Sequence, residues 1–274
     1  MAASCTMCCA ISPARLRPED QVKRPAIGEC QRLRADHSTV ISFQPPKTLS
    51  HAAMKNFPPS SLLALATLTL AAGPAAAERQ PVLIELFASQ NCNACPAAHR
   101  TLKAVQAEQG DNVMVLTWSV DYWDYLGTPD PMALPVASER QAAYADRLGV
   151  RAPYTPQSVY DGAKQCPATR RAAVDENIAL RTAADRPGEV SVAVLPGNRF
   201  SLDGHTPAPA EVNLVEFLDA PANPTPMVHP VTRASTLGLW TGGHVSFSYD
   251  CEASCVAIVQ APNYGEVYAT HRLK

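Results

Sequence analysis

Cys92 and Cys95 stand two residues apart in ELFASQNCNACPAAH, between an apolar run and the start of a helical pattern. A C-x-x-C pair supports three chemistries: a thiol–disulfide couple, half of a metal site, or a structural staple. For the first, a cysteine at a helix N-terminus serves as nucleophile, because unpaired N–H groups and the helix dipole favour its thiolate. A cysteine one turn further along attacks the resulting mixed disulfide and releases the partner. Cys92 is therefore the expected nucleophile and Cys95 the resolving thiol. Glu85, seven residues before Cys92 in an apolar strand, is either a proton acceptor for Cys95 or a salt-bridged carboxylate. The rival chemistry is metal carriage. Cys92, Cys95 and His99 follow C-x2-C-x3-H, a soft donor set suited to Cu(I) or Zn(II) in a periplasmic chaperone. In a third reading the disulfide is a scaffold for a non-catalytic binding module.

Two further stretches bear on the pair. Thioredoxin-like folds set a cis-proline opposite their cysteines, at the start of a strand leading into a hairpin. YTPQSVYDG puts Pro156 in that position, and the backbone of Thr155 before it could pair with a substrate strand. The other stretch is WSVDYWDYLG. Asp121, Tyr122, Trp123, Asp124 and Tyr125 follow the end of an expected parallel strand, where α/β folds place ligands, and read either as a lid or substrate platform or as aromatic packing that closes the sheet edge. Near the C-terminus, Cys251 and Cys255 read as a structural disulfide stapling a hairpin. Cys166 is then the odd thiol, either buried and inert or paired with one of those two.

These residues need particular elements to position them. PVLIELFAS (81–89) and NVMVLTWSV (112–120) are continuous apolar runs, the mark of strands buried on both faces. Between them PAAHRTLKAVQAEQG (96–110) has helical spacing, with Pro96 in its first turn and Gly110 at its end. That order predicts a parallel strand–helix–strand unit. SERQAAYADRLGV (138–150) predicts a helix capped by Ser138 and ended by Gly149. A short strand ending in an Asp161-Gly162 turn and a helix over 168–184 follow. From Gly188 the pattern changes to EVSVAVLPGNRFSLDG, EVNLVEFLDA, HVSFSYD and CVAIVQA. These read as short strands, with Pro196-Gly197 and Asp203-Gly204 as turns and 221–230 as a long Pro-rich loop. The expected class is α/β: a thioredoxin-like domain with a central mixed sheet over 78–187, then a small antiparallel β region over 188–274.

The first 77 residues differ from the rest. MKNFPPSSLLALATLTLAAGPAAA, from Met54, carries a basic start, an apolar core and an Ala-Ala-Ala cleavage site, the three parts of a secretory signal peptide. Residues 1–53 are then read as an upstream extension from a mis-assigned start, and 54–77 as the leader, cleaved near Ala77. Those 77 residues hold eight of the 23 basic and four of the 25 acidic residues, so the expected mature chain has a charge of −6. No basic block suggests nucleic acid or an anionic membrane surface. Export places the protein in an oxidising compartment where disulfides persist. The expected partners are protein thiols or disulfides of the periplasm, with no cofactor, no nucleic acid and no membrane anchor after cleavage.

Four motifs together, VLIELFASQNCNACPAAHRTL, VDYWDYLG, ERQAAYADRLGV and YTPQSVYDG, resemble a family of secreted, thioredoxin-like bacterial proteins known only as a domain of unknown function. The resemblance covers essentially the whole expected mature chain. It implies a thioredoxin-like domain followed by a C-terminal β region, exported in Gram-negative bacteria, and it supplies no substrate. Relative to thioredoxin, Asn93-Ala94 replaces Gly-Pro between the cysteines, and Asn91 replaces the preceding aromatic residue.

Overall fold

A computed structural model describes residues 80–274; the expected extension (1–53) and leader (54–77) lie outside the described residues. The chain opens with β1 (Val82–Ala88), α1 (Cys95–Gln109) and β2 (Val113–Ser119). β1 and β2 are parallel, Val82 standing opposite Val113 and Ala88 opposite Ser119. Every residue of both strands is buried, which accounts for their largely apolar sequence, broken by Glu85 in β1 and by Thr117 and Ser119 in β2. After α2 (Pro135–Arg147), β3 (Gln157–Tyr160) returns antiparallel to β1 and pairs with β4 (Lys164–Cys166). The sheet order is β2-β1-β3-β4, and α3 (Arg171–Ala183) closes this half.

Asp161 and Gly162, both at positive φ, turn the β3–β4 hairpin, with the Ala163 amide bonded to the Tyr160 carbonyl at 2.9 Å. A Cβ on Gly162 would collide with the Gly265 carbonyl oxygen, so this turn needs glycine for space as well as for backbone freedom. The expected start of α2 was displaced. Its N-cap is Leu134 with Pro135 at the first helical position, and Ser138 lies inside the helix, where its hydroxyl donates to Asp121 at 2.6 Å.

The C-terminal half forms two antiparallel sheets. One runs β11-β10-β7-β8 and the other β5-β6-β9, built from β5 (Glu189–Leu195), β6 (Arg199–His205), β7 (Ala210–Phe217), β8 (Val231–Trp240), β9 (Val245–Ser248), β10 (Ser254–Gln260) and β11 (Val267–Arg272). Two of these strands escaped the sequence reading. β8 carries mostly half-exposed residues with no apolar alternation, and β11 is a short run beside the terminus. Asp203-Gly204 makes no turn. Gly204 lies within β6 opposite Val190, at a position where a Cβ would strike the Glu189 carbonyl. The Cys251–Cys255 disulfide forms, but it staples no hairpin: β9 pairs with β6 and β10 with β7 and β11, so it spans the crossing between sheets.

Three apolar layers result. Ala98, Leu102 and Val105 of α1 and Val174 and Ile178 of α3 cover one face of the first sheet, packing on Ile84, Leu86 and Val115. The other face, with Leu83, Phe87 and Leu116, packs under Tyr144 of α2 and against Val215, Phe217, Val256 and Ile258. A third core, including Phe200, Val212 and Trp240, lies within the C-terminal half. Each fully buried Leu, Val or Phe in these layers contributes about 2 kcal/mol.

Candidate functional site: the Cys92–Cys95 turn and its lid

β1 delivers the chain to the site. After Ala88 the Cys92 amide bonds back to the Ser89 carbonyl at 3.2 Å, and the Cys95 amide to the Cys92 carbonyl at 3.1 Å. Cys92 and Cys95 are disulfide-bonded with Cα atoms 5.4 Å apart, and Cys95 is the first residue of α1. Ala94 provides no side-chain cap, Pro96 has no N–H, and the Cys95 and Ala97 amides bond the Cys92 and Ala94 carbonyls, so the sulfur pair meets the helix chiefly through its dipole. Both cysteines are nearly covered, Cys92 at 6% and Cys95 at 1% exposure.

Thr155-Pro156 is a cis peptide. Phe87 pairs with Gln157, so continuing the antiparallel register sets Pro156 beside Ala88 and Thr155 beside Ser89, at the strand end that leads into Cys92. The aromatic loop joins this corner. Trp123 Nε1 donates to Thr155 Oγ1 at 2.8 Å, and the Trp123 ring packs against the layers on both sheet faces. The loop also holds the turn just before Cys92. Asp130 Oδ2 accepts from the Gln90 amide at 2.9 Å, and the Thr128 carbonyl accepts from Gln90 Nε2 and Asn91 Nδ2, both at 3.1 Å. Asp124 braces the loop by accepting from the Asp130 amide, while Tyr122 donates to Gln141 at 3.0 Å. Burial pushes the Tyr122 phenol up to about 12, so it remains a donor. The structure thus brings Asp121, Tyr122, Trp123 and Asp124 to one loop beside the cysteines, with both carboxylates occupied in bracing it. Of the outermost pair, Tyr125 at 77% and Leu126 at 55% exposed, which form an apolar tip on the lid, sequence reading missed Leu126. It also missed Gln90, Asn91 and Asp130, whose bonds depend on loop geometry that no local pattern encodes.

Trp123→Phe removes the donor to Thr155 and about 1 kcal/mol of stability. Reduction of the Cys92–Cys95 bond by dithiothreitol is expected to become several-fold faster as the lid loosens. An unchanged rate would show that the lid does not limit access.

Glu85 is not brought to Cys95, which corrects its role as proton acceptor. Alternation along β1 puts it on the face with Leu83 and Phe87, while the cysteines pack with Ile84 and Leu86 on the other. There Arg140 bonds both of its oxygens, at 2.6 and 3.0 Å, and Tyr144 donates to it at 2.5 Å. Gln260 joins through Arg140 and Tyr144, and the guanidinium lies about 5 Å from the ring centres of Trp118, Tyr144 and Tyr264. A signal for this partner was present: Arg140 and Tyr144 are four residues apart on one helical face.

His99 is buried on the inward side of α1, and burial with the nearby Lys103 charge brings its imidazole down to about 4, so it is neutral. Its Nδ1 has no hydrogen-bond partner among the described residues. Among the described residues, the Cys, His and acidic donors that converge within 4.8 Å are Glu216, Cys251 and Cys255, and those sulfurs are bonded to each other. Cys166 is a free, half-buried thiol against the Tyr160 hydroxyl at 3.4 Å. Cavities of about 930 and 850 Å³ open near Gln80, at the far end of β1 from the cysteines.

A family model described as a protein of unknown function (DUF1223) matches residues 83–221. The chain belongs to that family. The DUF1223 match contains the disulfide, the lid and Thr155-Pro156, and it stops in the loop before β8. The chain is also similar to the X-ray crystal structure of a protein from Agrobacterium tumefaciens, with a TM-score of 0.61 and 25% identity over 72% of this chain and 96% of that one. No curated protein matches it. Neither similarity names a reaction.

Proposed function

We propose that this DUF1223 protein is an exported, thioredoxin-like thiol–disulfide oxidoreductase that acts on protein thiols or disulfides through Cys92 and Cys95. One observation carries the reading: a disulfide closes the first turn of α1 directly after a central parallel strand, beside a cis-proline. The order β1-α1-β2-α2-β3-β4-α3 supports the thioredoxin-like reading of this half. Export rests on the leader-like segment, and the matching partners are periplasmic. Among the described residues no helix is long and apolar enough to cross a membrane.

In the oxidising direction a substrate thiolate attacks Cys92 Sγ. The Cys92–Cys95 bond breaks, a substrate–Cys92 disulfide forms, and the electron pair leaves on Cys95. A second substrate thiolate then attacks its partner sulfur and frees Cys92, leaving substrate oxidised and enzyme reduced by two electrons. The reverse sequence reduces a substrate disulfide. The lid's apolar tip offers a protein chain a surface beside the sulfurs.

Insulin reduction and reoxidation of reduced ribonuclease cover the two directions. The wild type should be active in one of them, and Cys92→Ser should lose more than about 100-fold of that activity, since no other group in the site forms the mixed disulfide. A variant as active as the wild type would defeat the proposal.

A further inference from the structure

The redox reading leaves a proton without a destination. When Cys92 is held in a mixed disulfide, Cys95 must attack as a thiolate, yet its position is almost closed to water. Glu85 lies across the sheet and is engaged by Arg140 and Tyr144. Asp161 accepts from the Leu83 amide, Arg181 and Arg186, and the buried Asp130 accepts from the Gln90 and Met132 amides. Each buried carboxylate of this half is already engaged.

α1 itself carries a better candidate. His99 is four residues after Cys95, and residues so spaced stack on one helical face. Helical side chains lean toward the N-terminus, which directs the imidazole toward the turn that holds Cys95. His99 is 7% exposed, and its Nδ1 lacks a partner among the described residues with the disulfide closed. Buried polar atoms are rarely left so, and an unmade bond often marks a group with a task in another state of the protein. We propose that His99 is the acid–base partner of Cys95, taking its proton as the thiol attacks the mixed disulfide and relaying a substrate thiol's proton back to Cys95 when the disulfide is reopened. This assignment rests on the oxidoreductase reading.

The step balances. Cys95–SH, neutral imidazole and the Cys92–substrate disulfide become the Cys92–Cys95 disulfide, imidazolium and a substrate thiolate, to which the proton then passes. With the disulfide closed, no anion accompanies the imidazole and it stays neutral. A thiolate at Cys95 supplies the counter-charge that favours imidazolium. Lys103, one turn further along α1, is the opposing charge. On the neighbouring strands Tyr160 and Cys166 bond to each other, and Glu108 pairs with Arg171 of α3.

The test uses the reduced protein in a Cys166→Ser background, with Cys251–Cys255 verified closed by mass, mixed with a chromogenic aromatic disulfide. Attack by Cys92 releases one chromophore, and resolution by Cys95 releases a second. In His99→Asn the first phase should stay within about twofold. The second should slow about tenfold or more at pH 7, with the gap closing near pH 9 as the thiolate forms unaided. Equal second phases at every pH would overturn the assignment while leaving the redox reading intact. A wild type that releases only one chromophore would overturn both. Should His99→Asn fail to fold, imidazole NMR of the wild type decides: the His99 titration should move up when Cys92–Cys95 is reduced, and an unmoved titration overturns the assignment.

Discussion

Replacing Arg140 with methionine is expected to remove about 3–5 kcal/mol of stability, a large share of the 5–15 kcal/mol typical of a folded domain. The variant strands Glu85 in a fully buried position where Arg140 had bonded both of its oxygens. It also takes a donor from Gln260 and a cation from three aromatic rings. Urea unfolding measures the loss. The double variant Glu85→Leu with Arg140→Met should be more stable than Arg140→Met alone, because it removes the stranded charge as well. Arg140→Lys should rescue little, since an ammonium cannot bridge two carboxylate oxygens while reaching Gln260. A lysine variant as stable as wild type would show that charge alone, not the planar fork, holds this centre.

Acid should weaken the protein through His99. Its imidazole falls from 6.5 to about 4 on folding, so between those values the unfolded chain binds the extra proton. Stability is therefore highest above pH 6.5, declines as the pH drops toward 4, and levels off below that for this group. The full contribution is about 3 kcal/mol, at about 1.4 kcal/mol per pH unit. Glu216 and Asp219 are held below the usual carboxylate range by their hydrogen bonds to backbone amides, Arg233 and Arg272, which outweigh their desolvation. Their contribution is also lost as pH falls, so His99 is isolated by difference. Urea unfolding of wild type and His99→Asn at pH 7 and pH 4.5 should show a shallower loss in the variant. Parallel losses would mean that the imidazole is not responsible.

The parts of this fold that declare themselves are those that one element's packing determines. β1 and β2 are buried on both faces and read as largely apolar runs. Pro96 and Gly110 bracket α1, and Asp161-Gly162 needs two residues at positive φ. The cysteine turn belongs with these, because its disulfide joins residues only three positions apart. What stayed hidden depends on distant chain. Glu85 drew attention as a carboxylate in an apolar strand, but its orientation was legible only from strand alternation combined with knowledge of which face α1 covers. Ser138 looked like a cap because hydroxyls favour that position, while Pro135 starts the helix three residues earlier. β8 has no apolar period, since its outward residues meet solvent and its pairing with β7 comes from the backbone. The lid's grip on the Gln90 and Asn91 side chains lies in carbonyls, which every sequence has.

The Glu85 centre also crosses a boundary. The family match ends at residue 221, yet Gln260 and Tyr264, which close over Arg140, come from later in the chain. So do Val256 and Ile258, which pack on the sheet face opposite the cysteines. The stretch by which relatives are detected is therefore shorter than the stretch that folds. In shuffling or grafting, the natural cut points lie outside the whole three-layer body, and a chimera joined at 221 would inherit a disulfide-closed turn mounted on half a foundation.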